Sequence, residues 1–194
     1  VKTAITNNAT SLSVGFSSTS DFNNAREIAV SGDKVVVAQD QNAANSNTNK
    51  LIVYQKTATG FTLLNSYTVD FKTWGIHLEG NTLYAVADLT ADLVVFDNFF
   101  ANANGAITPT KRVAIEGLVR THGITYSNND DTMVLTDVGD AASNSDGGVI
   151  VIKNFKSTLM STSNMGTIAM DKQIKIYGSA TMLGNPVDVA YDRM

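Results

Sequence analysis

The sequence predicts an all-β fold: a β-propeller of four-stranded antiparallel blades, with about three blades and partial flanking blades in an incomplete ring. Three observations lead there. Residues 27–40 lie without a gap over residues 75–88, an offset of 48. A third copy, residues 123–137, sits 48 further on with one extra residue in its turn, and a fourth begins at Pro186-Val-Asp-Val-Ala-Tyr-Asp192. Each copy is built of short runs of Val, Ile, Leu and Tyr bounded by Gly, Asn and Asp, and units of this length made of short strands are propeller blades.

The elements follow in order within each unit. Ser31-Gly-Asp33, Glu79-Gly-Asn81 and Asn128-Asn-Asp-Asp131 separate the first and second strands, using residues that tolerate the positive φ of tight hairpins. Third strands are expected at 51–54, 93–96 and 148–152, and outer strands at 61–69, 111–115 and 173–177. The runs Val35-Val-Val-Ala38 and Leu93-Val-Val-Phe96 do not alternate, which fits strands covered on both faces by neighbouring blades. The blades span about 26–72, 73–119 and 120–184, with partial blades at 1–25 and 185–194. The third is lengthened by a Ser/Thr/Met-rich insertion, 157–171, in which no helix is expected; Met160, Met165 and Met170 recur at a spacing of five, which suits neither a helix nor a strand face. Three blades and a stub do not close a ring, and Leu12-Ser-Val-Gly-Phe16 has the pattern of a preceding blade's last strand. The expectation is a fragment of a longer chain, or one piece of a ring whose remaining blades come from the same or another chain.

Composition narrows the function classes. The chain of 194 residues is 43% hydrophobic and has no apolar run long enough for a transmembrane helix. Its formal net charge is −4 and its 14 basic residues are scattered, unlike the basic stripe of a nucleic-acid binder. Cysteine is absent, which excludes disulfides, thiolate metal sites and cysteine nucleophiles. Charged residues make up only 16%, and Asn, Ser and Thr fill the loops, a composition that points to an extracytoplasmic location: secreted, periplasmic or cell-surface. Asn8-Ala-Thr10 matches a glycosylation acceptor.

Gly123-Ile-Thr-Tyr126, followed by Met133-Val-Leu-Thr-Asp137, resembles the core of NHL and YVTN-type propeller repeats. Leu93-Val-Val-Phe-Asp-Asn98 with Gly105-Ala-Ile-Thr-Pro-Thr-Lys-Arg112 is similar to the outer half of such blades in extracytoplasmic bacterial proteins. Gly178-Ser-Ala-Thr-Met-Leu-Gly-Asn-Pro-Val-Asp188 is similar to the passage between blades in the same group. The first unit departs from the pattern, with Glu27 in place of the glycine. The resemblance covers nearly all of 26–192 and implies a fold that hosts binding platforms, scaffolds and a minority of enzymes. It also implies that Asp40, Asp88 and Asp137, closing the second strand of each unit, accept backbone N–H bonds and order the next turn.

In a propeller the start of each innermost strand faces the central channel. The repeat makes Arg26, Trp74 and His122 equivalent there, with Val187 fourth. A guanidinium, an indole and an imidazole at one rim suit an anionic or carbohydrate-like ligand, Trp offering a stacking face and Arg a bidentate donor. For metals, residues 137–147, with Asp137, Asp140 and Asp146, are rich in the hard oxygen ligands calcium takes, although they do not match the EF-hand pattern. Glu27 and Asp188 share one aligned position, held by Gly75 and Gly123 in the intervening units; propeller lactonases hold a channel metal with such carboxylates. His77, three residues into its strand, is expected to be buried or to make an inter-blade bond rather than to ligate a metal. Hydrolase, zincin, P-loop and dinucleotide motifs are absent.

The leading expectation is therefore a non-enzymatic extracytoplasmic propeller module that recognises a partner protein or glycan, without a cofactor. The alternatives are a channel-metal hydrolase of the lactonase kind and a purely structural subunit of a larger assembly.

Overall fold

A computed structural model of the chain describes residues 21–140 and 142–192. The strand expected at 12–16 and the glycosylation acceptor at 8–10 lie outside the described residues. The protein is all-β apart from one short helix, and its strands form three separate sheets.

The first sheet is an antiparallel meander of β1 (Ala25–Ser31), β2 (Lys34–Gln39), β3 (Lys50–Thr57) and β4 (Gly60–Thr68). The second repeats this order with β5 (Thr73–Glu79), β6 (Thr82–Ala87), β7 (Asp92–Phe96) and, after the two-residue strand β8 (Gly105–Ala106), β9 (Lys111–Ile115). The third comprises β10 (Ile124–Ser127), β11 (Thr132–Asp137), β12 (Gly148–Lys153) and β14 (Ile174–Tyr177); α1 (Phe155–Ser161) and β13 (Thr167–Ile168) lie between its last two strands. Gly32 and Gly80, at φ 59° and 58°, supply the left-handed residue of the first two hairpin turns.

The strand register corrects the sequence alignment of the third unit. Ser31 pairs with Lys34 and Glu79 with Thr82 across two-residue turns, whereas Ser127 pairs with Thr132 across four residues. The third turn is thus longer by two residues, not one. Val138, not Asp137, occupies the place of Asp40 and Asp88. The backbone agrees: the amides of Asp40, Asp88 and Val138 donate to the carbonyls of Asn24, Lys72 and Arg120, respectively. A shift of one along a strand moves a side chain to the opposite face, so Asp137 is not a third copy of the other two.

The core lies between the sheets. Val36, Ala38, Leu51 and Val53 of the first sheet pack against Ile76, Leu78, Leu83 and Ala85 of the second. Tyr84, Val86, Leu93 and Val113 on the second sheet's other face pack against Met133, Leu135, Ile150 and Ile152 of the third. The middle sheet is covered on both faces, which accounts for its unbroken apolar runs. Each such side chain contributes ~1.5–3 kcal/mol by burial, so sheet-on-sheet packing dominates stability.

The 157–171 segment contains a helix the sequence did not reveal. Only Phe155 of α1 is buried and no side chain caps the helix, so neither of the usual signals is present. Asn154 takes a left-handed conformation (φ 50°) and drops Phe155 into the core, as Asn98 (φ 48°) does for Phe99. The amides of Phe99 and Phe155 donate to the carbonyls of Asn81 and Asp131, tying each connection to its own sheet's first turn.

These connections also join neighbouring sheets. β8 pairs in parallel with β4, and β13 with β9, so the second and third sheets each lay a two-residue strap on the outer edge of the sheet before. At the other side of each sheet the inner strands stand together: β5 lies between β1 and β10, and residues 186–190 continue the series. Gly75 and Gly123 permit this approach; a Cβ on Gly123 would sit 2.7 Å from Asp188 Cα. The three sheets do not close into a ring among the described residues. No helix among them is long and apolar enough to cross a membrane.

Candidate functional site at the inner rim

The three residues aligned by the repeat meet as a single stack. The Trp74 and His122 rings lie parallel, centroids 3.5 Å apart with an interplanar angle of 2°. The Arg26 guanidinium carbon lies over the Trp74 ring, 4.1 Å from its centroid. With both neighbours stacked on it, Trp74 has no face left for a sugar ring. That corrects the expectation of an indole stacking platform; the indole instead spaces two cationic or protonatable groups.

Two buried carboxylates lie beneath the stack. Arg26 donates to Asp40 Oδ2 through Nε (3.1 Å) and Nη2 (2.8 Å). Arg120 grips Asp88 in a bidentate pair, Nε to Oδ1 at 2.6 Å and Nη2 to Oδ2 at 3.0 Å. Lys72 Nζ stands between the two, 3.3 Å from Asp88 and 4.0 Å from Asp40. His122 Nε2 approaches Asp88 Oδ1 at 3.4 Å, long for a hydrogen bond. Burial alone would push the Asp88 carboxyl up; the His122 and Arg120 contacts outweigh it and hold the group well below the usual carboxylate range.

Lys72 and Arg120 are the functional candidates the sequence reading missed. They stand two residues before Trp74 and His122 at the same offset of 48, which was signal enough to find them. The cations are not fully sequestered: the side chains of Arg26, Lys72 and Arg120 remain 31%, 26% and 25% exposed, whereas those of Asp40 and Asp88 are 2% or less. Three cations thus surround two carboxylates, and the rim carries a local positive excess. Asp40 Oδ1 and both ring nitrogens of His122 are buried with no hydrogen-bond partner among the described residues.

The proposed metal ligands divide between two places. Glu27 and Asp188 line one cavity of about 230 Å³ between the inner strands, together with Ile76, His77 and Ile124. Burial, with a smaller contribution from Asp188, raises the Glu27 carboxyl despite the Ile28 amide it accepts. Asp137 ends β11, Asp140 and Asp146 lie in the β11–β12 connection, and the oxygens of all three are engaged by protein groups. Asp137 accepts the amides of Val119, Arg120 and Gly139 and pairs with Lys175 Nζ at 3.0 Å. Asp146 accepts the Asp140 amide, and Asp140 accepts that of Ala142. No three potential ligands gather among the described residues. His77 packs edge-on against Tyr126, and burial lowers its pKa, favouring the neutral ring. Val187, the fourth aligned position, is 53% exposed and outside the stack.

No known family matches this chain, and no curated protein matches it.

Proposed function

We propose that this chain is a β-propeller segment of the NHL/YVTN kind, working outside the cytoplasm as a non-enzymatic module. It binds an acidic partner, protein or glycan, at the rim formed by Arg26, Lys72, Arg120 and His122. The observation that carries the reading is the excess of partly exposed cations over buried carboxylates. Asp40 and Asp88 fix the cations in place, and the stack on Trp74 holds Arg26 and His122 in register. The cations are each a quarter to a third exposed, which suits a surface contact with carboxylate or sulfate groups. The propeller assignment is supported by stacked four-stranded meanders whose inner strands converge.

Trp74, the chain's sole tryptophan, provides the test. Acidic peptides and uronate oligosaccharides are titrated against intrinsic fluorescence at low and high salt. The expected result is a saturable change for anionic ligands that weakens with salt and with Lys72→Ala. Equal responses to neutral and anionic ligands, or none to any, would overturn the reading.

A second reading, a channel-metal hydrolase, draws on Glu27 and Asp188 facing one cavity. These two side chains fall well short of the six to eight oxygens calcium takes. The donor set as it stands does not fit a channel metal.

A further inference from the structure

The outer edges of the first two sheets are covered in the same way, and that of the third is bare among the described residues. On β4, Tyr67 and Thr68 pair with Gly105 and Ala106; the Ser66 amide donates to Asn104 Oδ1 at 2.8 Å and the Ile107 amide to Thr68 O at 3.0 Å. On β9, Ala114 and Ile115 pair with Thr167 and Ile168; the Arg112 amide donates to Asn164 Oδ1 and the Ala114 amide to Gly166 O, both at 2.9 Å. Both straps therefore carry an Asn that caps an outward amide, then an Ile three or four residues on that enters the core: Ile107 is 9% exposed and Ile168 1%.

The corresponding strand of the third sheet is β14. Thr68, Ala114 and Tyr177 stand opposite Lys50, Asp92 and Gly148, the first residues of their third strands, so Lys175, Ile176 and Tyr177 take the places of Ser66, Tyr67 and Thr68. Tyr67 and Val113, beneath straps, are fully buried, whereas Ile176 is 50% exposed and Tyr177 66%. The edge amides of Lys175 and Tyr177 face outward by the same register.

We propose that β14 is a docking edge for the strap of a further unit of this repeat: an extended, parallel segment carrying Asn followed three or four residues later by Ile. The mode is β-strand addition, in which the main chain supplies affinity and the Asn and Ile supply selection. An uncovered apolar strand edge is otherwise an aggregation liability, and the first two sheets show how this fold covers it. The proposal concerns a different part of the molecule from the cationic rim and is independent of it.

The test adds a synthetic peptide with the sequence of residues 102–109, Asn-Ala-Asn-Gly-Ala-Ile-Thr-Pro, to the isotope-labelled full chain and follows amide shifts. Saturable shifts at residues 174–177 are expected, with an affinity about tenfold weaker for the Asn104→Ala peptide, the loss of one hydrogen bond. In the protein, Tyr177→Pro removes an outward amide at an edge position that tolerates proline, and abolishes binding. Should that variant not fold, the peptide substitutions still decide. A scrambled peptide binding equally, or no shift in β14, overturns the proposal. So does concentration-dependent protection of β14 in the chain alone, because a second copy would then fill the edge.

Discussion

Replacing Asp88 by Asn removes one carboxylate and leaves its geometry nearly unchanged. The carboxylate is fully buried and holds four groups: Arg120 by two hydrogen bonds, the Leu89 amide at 3.0 Å, Lys72 at 3.3 Å and His122 at 3.4 Å. Stranding a fully buried partner would cost about 3–5 kcal/mol. Here Arg120 and Lys72 are each about one quarter exposed and regain some hydration, so about 2–4 kcal/mol is expected at neutral pH. The pH dependence gives a sharper signature. The folded pKa of Asp88 is depressed, so its stabilisation is complete above the unfolded value of ~3.9 and is lost as pH falls below it. One unit below that value the wild type should have lost about 1.4 kcal/mol from this group, a loss the Asn variant escapes. Urea unfolding followed by circular dichroism between pH 7 and pH 2.5 measures both stabilities. A wild-type advantage that stays constant to the lowest pH, or is absent at neutral pH, would refute the charge-anchoring role.

Three other perturbations follow from the packing. Gly123→Ala forces a Cβ against the Asp188 backbone and should cost about 1–3 kcal/mol in thermal or urea unfolding, whereas Gly178→Ala, with open space around it but a left-handed φ of 105°, tests backbone strain alone. Phe155→Ala empties a fully buried site between the second and third sheets and should cost about 3–5 kcal/mol by the same measurement. Burial, with the Asp97, Glu79 and Asp131 charges, pushes the Tyr84 phenol up to about 12. Its phenolate absorbance should therefore emerge late in a spectrophotometric titration, and stability should fall as pH rises from the unfolded value of ~10 towards that point.

The strands were legible in the sequence because their signal is local: apolar runs punctuated by Gly, Asn and Asp place β3, β7, β9, β12 and β14 within three residues of their observed ends. The meeting of Arg26, Trp74 and His122 was legible because one spacing governs all three inner strands. Other features depended on geometry that letters do not carry. Asp137 matches Asp88 by identity, yet the hairpin pairing that decides its face is set by two additional turn residues. The straps are two residues each, too short for periodicity to register, and α1 buries a single side chain. The stack on Trp74 likewise could not be anticipated: the alignment brought the residues to one rim without showing that Arg26 and His122 would take both faces of the indole.

The straps give the chain a direction. The second sheet reaches back to hold the first and the third reaches back to hold the second, while the β3–β4 connection of the first sheet is only Ala58 and Thr59 and lays no strap among the described residues. During synthesis a meander leaving the ribosome would have its outer edge open until its successor arrives to latch it, so each unit matures one step behind the ribosome. In the folded molecule the dependence runs the other way: the first sheet's strap belongs to the second sheet and the second sheet's strap to the third. An extending force or a protease that opened the third sheet would therefore bare the edge of the second, and one that opened the second would bare that of the first.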